Sequence, residues 1–142
     1  MNYYDNFPTF SAELSDGMLH LNMHELAMNP GDYQYVRDVL QLFDGLKNDA
    51  SIQVVVFTSA HPDFFLLNYY QNPEGALTGP IDSAHFILWA RLLMELAVLP
   101  QTTVAIVEDK VKGAGNGFLT ACDLTIHCSN PELALLPIFM PT

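Results

Sequence analysis

The sequence predicts one α/β domain over residues 1–142, and two kinds of segment lead to that prediction. Val54–Phe57 and Val104–Val107 are continuously apolar, which is typical of strands covered on both faces. Between residues 36 and 46, apolar side chains recur at steps of three and four, which indicates an amphipathic helix. Strands and helices alternate along the chain, and this order is typical of a layered α/β architecture.

The first third of the chain predicts a hairpin followed by a helix. Two strands, Thr9–Leu14 and Met18–His24, flank the turn Ser15-Asp16-Gly17, and alternation in the second strand indicates one buried face. Asp32 can act as a helix N-cap because its side chain accepts backbone N–H bonds. The helix that follows is predicted to end near Lys47.

The rest of the chain predicts three more strands and two more helices. In order, these are a strand over Ile52–Thr58, a loop over Ser59–Pro80, a helix over Asp82–Leu99, a strand over Thr103–Val107, a turn over Glu108–Lys110, a short helix ending at Cys122 and a strand over Asp123–His127. The long loop is the expected binding loop. Apolar residues surround the helix over 82–99 almost completely, so we expect it to be largely buried.

The charge balance excludes two classes of partner. The chain has 5 basic and 16 acidic side chains, a net charge of −11. Five scattered cations cannot build the basic stripe that contacts phosphates, so no nucleic acid is expected. An anionic membrane surface would repel the chain. The longest apolar stretch, Phe86–Leu99, contains Arg91 and Glu95 and is shorter than the roughly 20 residues that span a bilayer.

The cysteines and the first residues predict a cytoplasmic protein. Cys122 and Cys128 are the two cysteines, which is too few for a disulfide framework or a zinc site, so we expect free thiols. Residues 1–6 are polar and do not resemble a secretory signal.

A glycine-rich turn precedes the short helix. Gly113, Gly115 and Gly117 are spaced G-x-G-x-G, whereas a dinucleotide fingerprint needs G-x-G-x-x-G directly after a strand. A Walker A loop also needs a following Gly-Lys-Ser/Thr, which is missing here. The glycine spacing is compatible with a tight turn that has only a structural role and also with a turn that has a functional role.

The segment from Pro100 to Asp123 resembles the crotonase (enoyl-CoA hydratase/isomerase) family. The resemblance is carried by Pro100, the strand Val104-Ala105-Ile106-Val107, the turn Gly113-Ala114-Gly115, the helix residues Phe118-Leu119-Thr120-Ala121 and the pair Cys122-Asp123. Upstream, Gly17–Leu21 and Asp49–Thr58 follow the same family order. The resemblance implies a crotonase-like ββα spiral core, here without the usual C-terminal helical segment.

The resemblance also implies a chemistry. Enzymes of this family act on acyl-CoA thioesters, and two backbone N–H groups stabilise the enolate-like oxygen that forms. The resemblance assigns these donors to Leu66 and Ala114. It assigns the surrounding substrate contacts to Phe64, Asn68, Tyr69, Gly113, Gly115 and Gly117. It implies no metal and no cofactor other than the coenzyme A portion of the substrate.

The residues for proton transfer depart from the family. Its hydratases use two glutamates, and the aligned positions here hold Gly117 and, within a few residues, Pro137. Phe65 and Leu67 replace small residues of the loop that supplies the Leu66 donor. Other candidates for acid–base catalysis are His61, Asp63, Tyr69, Tyr70, His127 and Glu132.

Two functions therefore compete. The first is a thioester-binding protein that stabilises an enolate as an isomerase, decarboxylase or hydrolase. The second is a catalytically inactive assembly module. The apolar strip Leu133–Met140 favours burial in an oligomer, and the resemblance implies a homotrimer or hexamer. The chain is either naturally short or part of a longer one.

Overall fold

The protein forms a mixed α/β fold in a computed structural model. The structure describes residue 4 and residues 6–24, 34–60, 83–108, 111–112, 114–127 and 133–134, with the backbone alone for 83–86, 111–112, 114–115 and 133–134. The elements are β1 (Phe10–Ser15), β2 (Met18–Met23), α1 (Gln34–Leu46), β3 (Val54–Ser59), α2 (Ser83–Ala97), β4 (Thr102–Val107), β5 (Val111–Lys112), α3 (Ala114–Ala121), β6 (Leu124–His127) and β7 (Leu133–Ala134).

Five strands form the main sheet in the order β1-β2-β3-β4-β6. β1 and β2 are antiparallel, whereas β2, β3, β4 and β6 run parallel to one another. β5 and β7 form a separate parallel pair. The predicted alternation of strands and helices is confirmed, while the two-residue strands β5 and β7 were not predicted because so short a run has no recognisable periodicity.

The first hairpin closes with a two-residue turn. Asp16 and Gly17 both have positive φ, 51° and 77°, as a type I′ turn requires. The Gly17 carbonyl accepts hydrogen bonds from the N–H groups of Gln53 (2.7 Å) and Val54 (3.3 Å). The turn therefore both sets the register of the hairpin and joins it to the start of β3.

The core lies on one face of the sheet, which we call the inner face. Helix α1 buries one stripe there, and Val55, Phe57, Ala105 and Val107 contribute from β3 and β4 with at most 1% exposure. Asp38 is buried in α1, and its carboxylate accepts hydrogen bonds from the Thr9 hydroxyl (2.7 Å) and the Gln34 amide (2.6 Å). Burial of these groups fixes α1 beside the N-terminal segment.

Helix α2 differs from its prediction. Trp89, Leu92 and Leu96 are buried as expected, but Ile87 is 65% exposed and so are Met94 (70%) and Val98 (76%). The expectation of a largely buried helix is therefore wrong for one side of it. Among the described elements, α1 and α3 are the main neighbours of α2, and the side of α2 that carries Ile87, Met94 and Val98 is exposed.

Candidate functional site

The carboxyl ends of four parallel strands lie along one edge of the sheet. β2, β3, β4 and β6 end at Met23, Ser59, Val107 and His127. In open α/β sheets, ligands bind beyond these carboxyl ends, where connections leave the sheet and can present backbone and side-chain groups. The carboxyl edge is therefore the first candidate site.

Helix α3 begins close to this edge. Its first residue is Ala114, seven positions after β4 ends at Val107, and the chain returns through α3 to the start of β6 at Leu124. The first N–H groups of a helix have no partner within the helix, and the positive end of the helix dipole lies there. The Ala114 N–H therefore lies at a helix N-terminus, a position at which backbone donors commonly bind negatively charged groups.

Aromatic packing fixes α3 against the sheet. The Phe118 ring is fully buried and meets the Phe57 ring of β3 edge to face, with 4.9 Å between centroids. Leu119 is also buried in the main core. Because both rings belong to regular elements, the start of α3 has a defined position relative to β3.

The pair Cys122-Asp123 holds the other end of α3. The Asp123 carboxylate accepts hydrogen bonds from the Thr103 N–H (2.8 Å) and hydroxyl (3.3 Å), and the Asp123 N–H donates to that hydroxyl (3.0 Å). Burial raises the pKa of the Cys122 thiol to about 12. The motif therefore fixes the connection between α3 and β6 and supplies no reactive thiolate.

Gly117, where the sequence resemblance leads one to expect a hydratase glutamate, lies in the first half of α3. A Cβ built on it would lie 3.4 Å from the Leu93 Cδ1 atom of α2, an ordinary contact distance. The contact between α3 and α2 therefore leaves room for a small side chain at this position, and glycine supplies no proton-transfer group.

The structure places some of the predicted site residues and not others. Ala114, Gly115 and Gly117 lie in the first half of α3. His127 ends β6 opposite Val107 and is exposed. The predicted residues that fall outside the described ranges are His61, Asp63, Phe64, Phe65, Leu66, Leu67, Asn68, Tyr69, Tyr70, Gly113, Glu132 and Pro137.

A second, polar cavity lies on the opposite face of the sheet, which we call the outer face. It has a volume of about 490 Å³ and is lined by Ser11, Ala12, Glu13, His20, Asn22, Thr58, Ser59 and Glu108. The Thr58 hydroxyl lies 3.1 Å from the Leu21 carbonyl, 3.2 Å from Asn22 Oδ1 and 3.1 Å from His20 Nε2. The Thr58 hydroxyl has one proton to donate. When it donates that proton to the Leu21 carbonyl or to Asn22 Oδ1, it can accept a hydrogen bond from His20 Nε2–H. Sequence reasoning missed this cluster, although the alternation of polar residues in β2 signals it.

Within the described residues, no group of three or more His, Cys, Asp or Glu side chains is placed to hold a metal ion. Of the helices described, none is both long enough and apolar enough to cross a bilayer.

A family comparison gives a consistent result along nearly the whole chain. Residues 13–138 match the model of the family described as Enoyl-CoA hydratase/isomerase. No curated protein matches the chain in a sequence search.

Solved structures share the fold. An enoyl-CoA hydratase from Mycobacterium avium subsp. paratuberculosis K-10 matches with 19% identity and a TM-score of 0.72, over 91% of this chain and 48% of that chain. Pseudomonas aeruginosa DspI matches with 19% identity and a TM-score of 0.73, over 96% and 55% of the two chains. An enoyl-CoA hydratase from Bacillus anthracis matches with 16% identity and a TM-score of 0.69, over 88% and 49%. The chain thus spans about half the length of these proteins.

Proposed function

The chain belongs to the enoyl-CoA hydratase/isomerase family, and from this premise we propose that it binds an acyl-CoA thioester at the carboxyl edge of its sheet. The observation that carries the proposal is the start of α3 at Ala114, close to the end of β4. An N–H at this position can donate to a thioester oxygen, and the helix dipole favours the negative charge that develops there.

The proposed chemistry is stabilisation of an enolate. When a base removes a proton from the carbon next to the thioester, or a carboxylate on that carbon is lost as carbon dioxide, the electron pair left behind places negative charge on the carbonyl oxygen. The Ala114 N–H would donate to that oxygen, and the Leu66 N–H is proposed as the second donor. Isomerisation and decarboxylation proceed through such an enolate, and hydrolysis places charge on the same oxygen in its tetrahedral intermediate.

Hydration by two glutamates is not part of the proposal. Gly117 stands where one of these carboxylates would be, and its Cα faces Leu93 across the contact between α3 and α2. Glycine cannot donate or accept the proton that hydration requires. A proton acceptor, where one is needed, would come from another residue such as His127, the described candidate closest to the end of the parallel strands.

A matched pair of variants at Ala114 tests the proposal. Proline removes the N–H, yet it is compatible with the first position of a helix, so Ala114→Pro should retain the fold. Ala114→Gly keeps the N–H and serves as the control. We expect calorimetric titration with butyryl-CoA to show binding to the parent and to Ala114→Gly, and at least tenfold weaker binding to Ala114→Pro.

Two results would contradict the proposal. One is the absence of measurable binding of butyryl-CoA to the parent chain at millimolar ligand. The other is equal affinity of the proline and glycine variants, with circular dichroism showing both to be folded.

The second candidate function is a catalytically inactive assembly module. The observation that favours it is the exposure of large apolar side chains on the outer face of the sheet, where Leu124 is 57% exposed and Ile126 is 52% exposed. Thioester binding and assembly involve different surfaces, so the titration above decides the first without deciding the second.

A further inference from the structure

The polar cavity on the outer face is built on two neighbouring rows of residues that cross the sheet. In the first row, Glu13 of β1 lies directly opposite His20 of β2. In the second row, Ser11 lies opposite Asn22, and Asn22 pairs in turn with Thr58 of β3. Residues that lie opposite each other on adjacent strands point to the same face of a sheet. The strand register therefore gathers five polar side chains on one surface.

The cavity is large enough to hold a small organic molecule. Its volume is about 490 Å³, and ligand sites typically have volumes of about 300–1,000 Å³. Asn22 and Thr58 are half-buried, whereas Glu13, His20 and Glu108 are exposed. The cavity therefore opens to solvent on the side where its carboxylates lie.

The lining groups that have no partner are mainly hydrogen-bond acceptors. Among the described residues, the carboxylates of Glu13 and Glu108 take part in no hydrogen bond and in no ion pair. When His20 Nε2–H donates to the Thr58 hydroxyl, the other ring nitrogen, Nδ1, is also an acceptor. A ligand that fills the cavity must therefore supply hydrogen-bond donors.

The charge of the lining favours a cation. Two carboxylates line the cavity, and none of the described residues that line it is Lys or Arg. An anion would meet two uncompensated negative charges here, whereas a cation would neutralise them. The net charge of −11 also attracts cations toward the chain as a whole. The cavity and the whole chain thus favour the same sign of ligand charge.

The spacing of the two carboxylates indicates an elongated ligand. Glu13, His20, Val56 and Val104 are aligned across the sheet, and Glu108 follows Val104 just beyond the end of β4. With strands about 4.8 Å apart and a rise of about 3.3 Å per residue, the backbone positions of the two glutamates lie roughly 20 Å apart in a flat sheet. The described His, Cys, Asp and Glu side chains also form no group of three that could hold one metal ion. A single compact ion therefore cannot contact both carboxylates.

We propose that the polar cavity binds a linear aliphatic polyamine, in which methylene segments separate two or more ammonium groups. One ammonium group pairs with Glu13 beside His20, and another pairs with Glu108. The Asn22 side chain and the Thr58 hydroxyl lie between the two carboxylates and accept from the remaining N–H groups. This binding does not depend on thioester binding at the carboxyl edge.

Calorimetric titration with spermidine in 0.15 M NaCl tests the proposal. The double variant Glu13→Gln/Glu108→Gln removes both charges from the cavity and nearly preserves the shape of the side chains. Asp16→Asn/Asp44→Asn is the matched control, because it removes two charges from exposed positions that do not line the cavity. We expect the parent and the control to bind one equivalent of spermidine with affinities within twofold. The glutamine variant should bind at least tenfold more weakly.

Two further probes separate a polyamine from other occupants. MgCl₂ supplies two positive charges on one compact ion, and a tetralysine peptide supplies ammonium groups on a polypeptide that is too large for the cavity. We expect each to bind at least tenfold more weakly than spermidine. NMR of the imidazole rings locates the site, since the His20 signals should shift with spermidine while those of His127, at the end of β6, should not.

The proposal is overturned by any of three results in the titrations. These are no measurable binding of spermidine to the parent at millimolar ligand, equal affinity of the two double variants with circular dichroism showing both to be folded, and binding of Mg²⁺ or tetralysine as tight as that of spermidine. His20 signals that stay unchanged at saturating spermidine would overturn the assignment of the site. None of these results depends on whether the chain binds butyryl-CoA.

Discussion

Cys122 illustrates how a single environment decides whether a side chain is reactive. Its thiol lies at the end of α3, where burial is the main cause that raises its pKa to about 12; a hydrogen bond with Thr103 opposes this rise and the nearby Asp123 charge adds to it. Thiols react as thiolates, so this one is inert at neutral pH. Cys122 is therefore best understood as part of the packing of α3.

We expect iodoacetamide at pH 8.5 to label Cys122 slowly in the folded chain and rapidly in 8 M urea. In the unfolded chain the thiol titrates near 9.0, so above that pH the unfolded state loses a proton that the folded state keeps. The free energy of unfolding should therefore fall as pH rises from about 9 toward 12. Peptide mapping identifies the labelled cysteine, and Cys122→Ala should remove this part of the pH dependence. Equal labelling rates in the folded and unfolded chain would contradict the assignment.

The hydrogen bonds between Asp123 and Thr103 are a second feature that depends on individual residues. The Thr103 side chain is buried, and its N–H and hydroxyl both bond to the Asp123 carboxylate just before β6 begins. Replacing the acceptor leaves a buried N–H unsatisfied, which typically costs about 1–3 kcal/mol.

Asp123→Ala is therefore expected to lower the free energy of unfolding by about 1–3 kcal/mol in urea titrations. Asp123→Asn retains a side-chain oxygen that can accept from Thr103, so its loss should be smaller. A fully stable Asp123→Ala variant would show that the Cys-Asp motif does not hold α3 to β4.

At the scale of elements, α3 is the segment on which the site depends. Its position follows from Phe118 against Phe57 and from the close approach of Gly117 to Leu93. The geometry at Gly117 also has a measurable consequence, because the Cβ of an alanine would meet the flexible end of Leu93 at 3.4 Å.

Gly117→Ala should stabilise the chain by about 0.5–1 kcal/mol, since alanine has the higher helix propensity and Gly117 has helical backbone angles. Chemical denaturation of the two proteins measures the difference. Gly117→Val is the matched control, because a β-branched side chain adds bulk at the same contact and should lose the gain. Destabilisation by alanine would mean that the packing of α3 on α2 is tighter than the distance indicates.

Some features of the fold were predictable from the sequence, and others were not. The turn at Asp16-Gly17 and the strands around Val55 and Ala105 were predictable because positive φ and continuous apolar runs are local signals. The exposed side of α2 was not, because Ile87, Met94 and Val98 are apolar and their exposure depends on which elements pack nearby. The cluster of His20 and Thr58 was missed because it joins residues 38 positions apart.

The candidate site was predictable in part, and through family resemblance more than through residue patterns. The glycine turn alone left a structural and a functional interpretation open. The resemblance added roles for Ala114 and Leu66, and the structure shows Ala114 at the start of α3. Leu66 and the loop around it lie outside the described residues, so the second donor stays a prediction.

At the scale of the whole molecule, the proposed thioester site lies at one edge of the main sheet. The carboxyl edge of the sheet and the start of α3 are proposed to hold that thioester. The chain spans about half the length of the solved structures that it resembles, and it shares their fold with TM-scores of 0.69 to 0.73. The shared fold sets where the site should lie, while the residues of this chain decide what it can do.

The central claim is that a thioester carbonyl oxygen accepts a hydrogen bond from the Ala114 N–H. Isotope-edited infrared spectroscopy of butyryl-CoA with a ¹³C-labelled carbonyl measures this directly, because a hydrogen bond to the oxygen lowers the carbonyl stretching frequency. We expect the bound carbonyl to absorb at lower frequency than in water in the parent and in Ala114→Gly, and to return toward the free value in Ala114→Pro. A bound carbonyl that absorbs at the same frequency in all three proteins would contradict the claim.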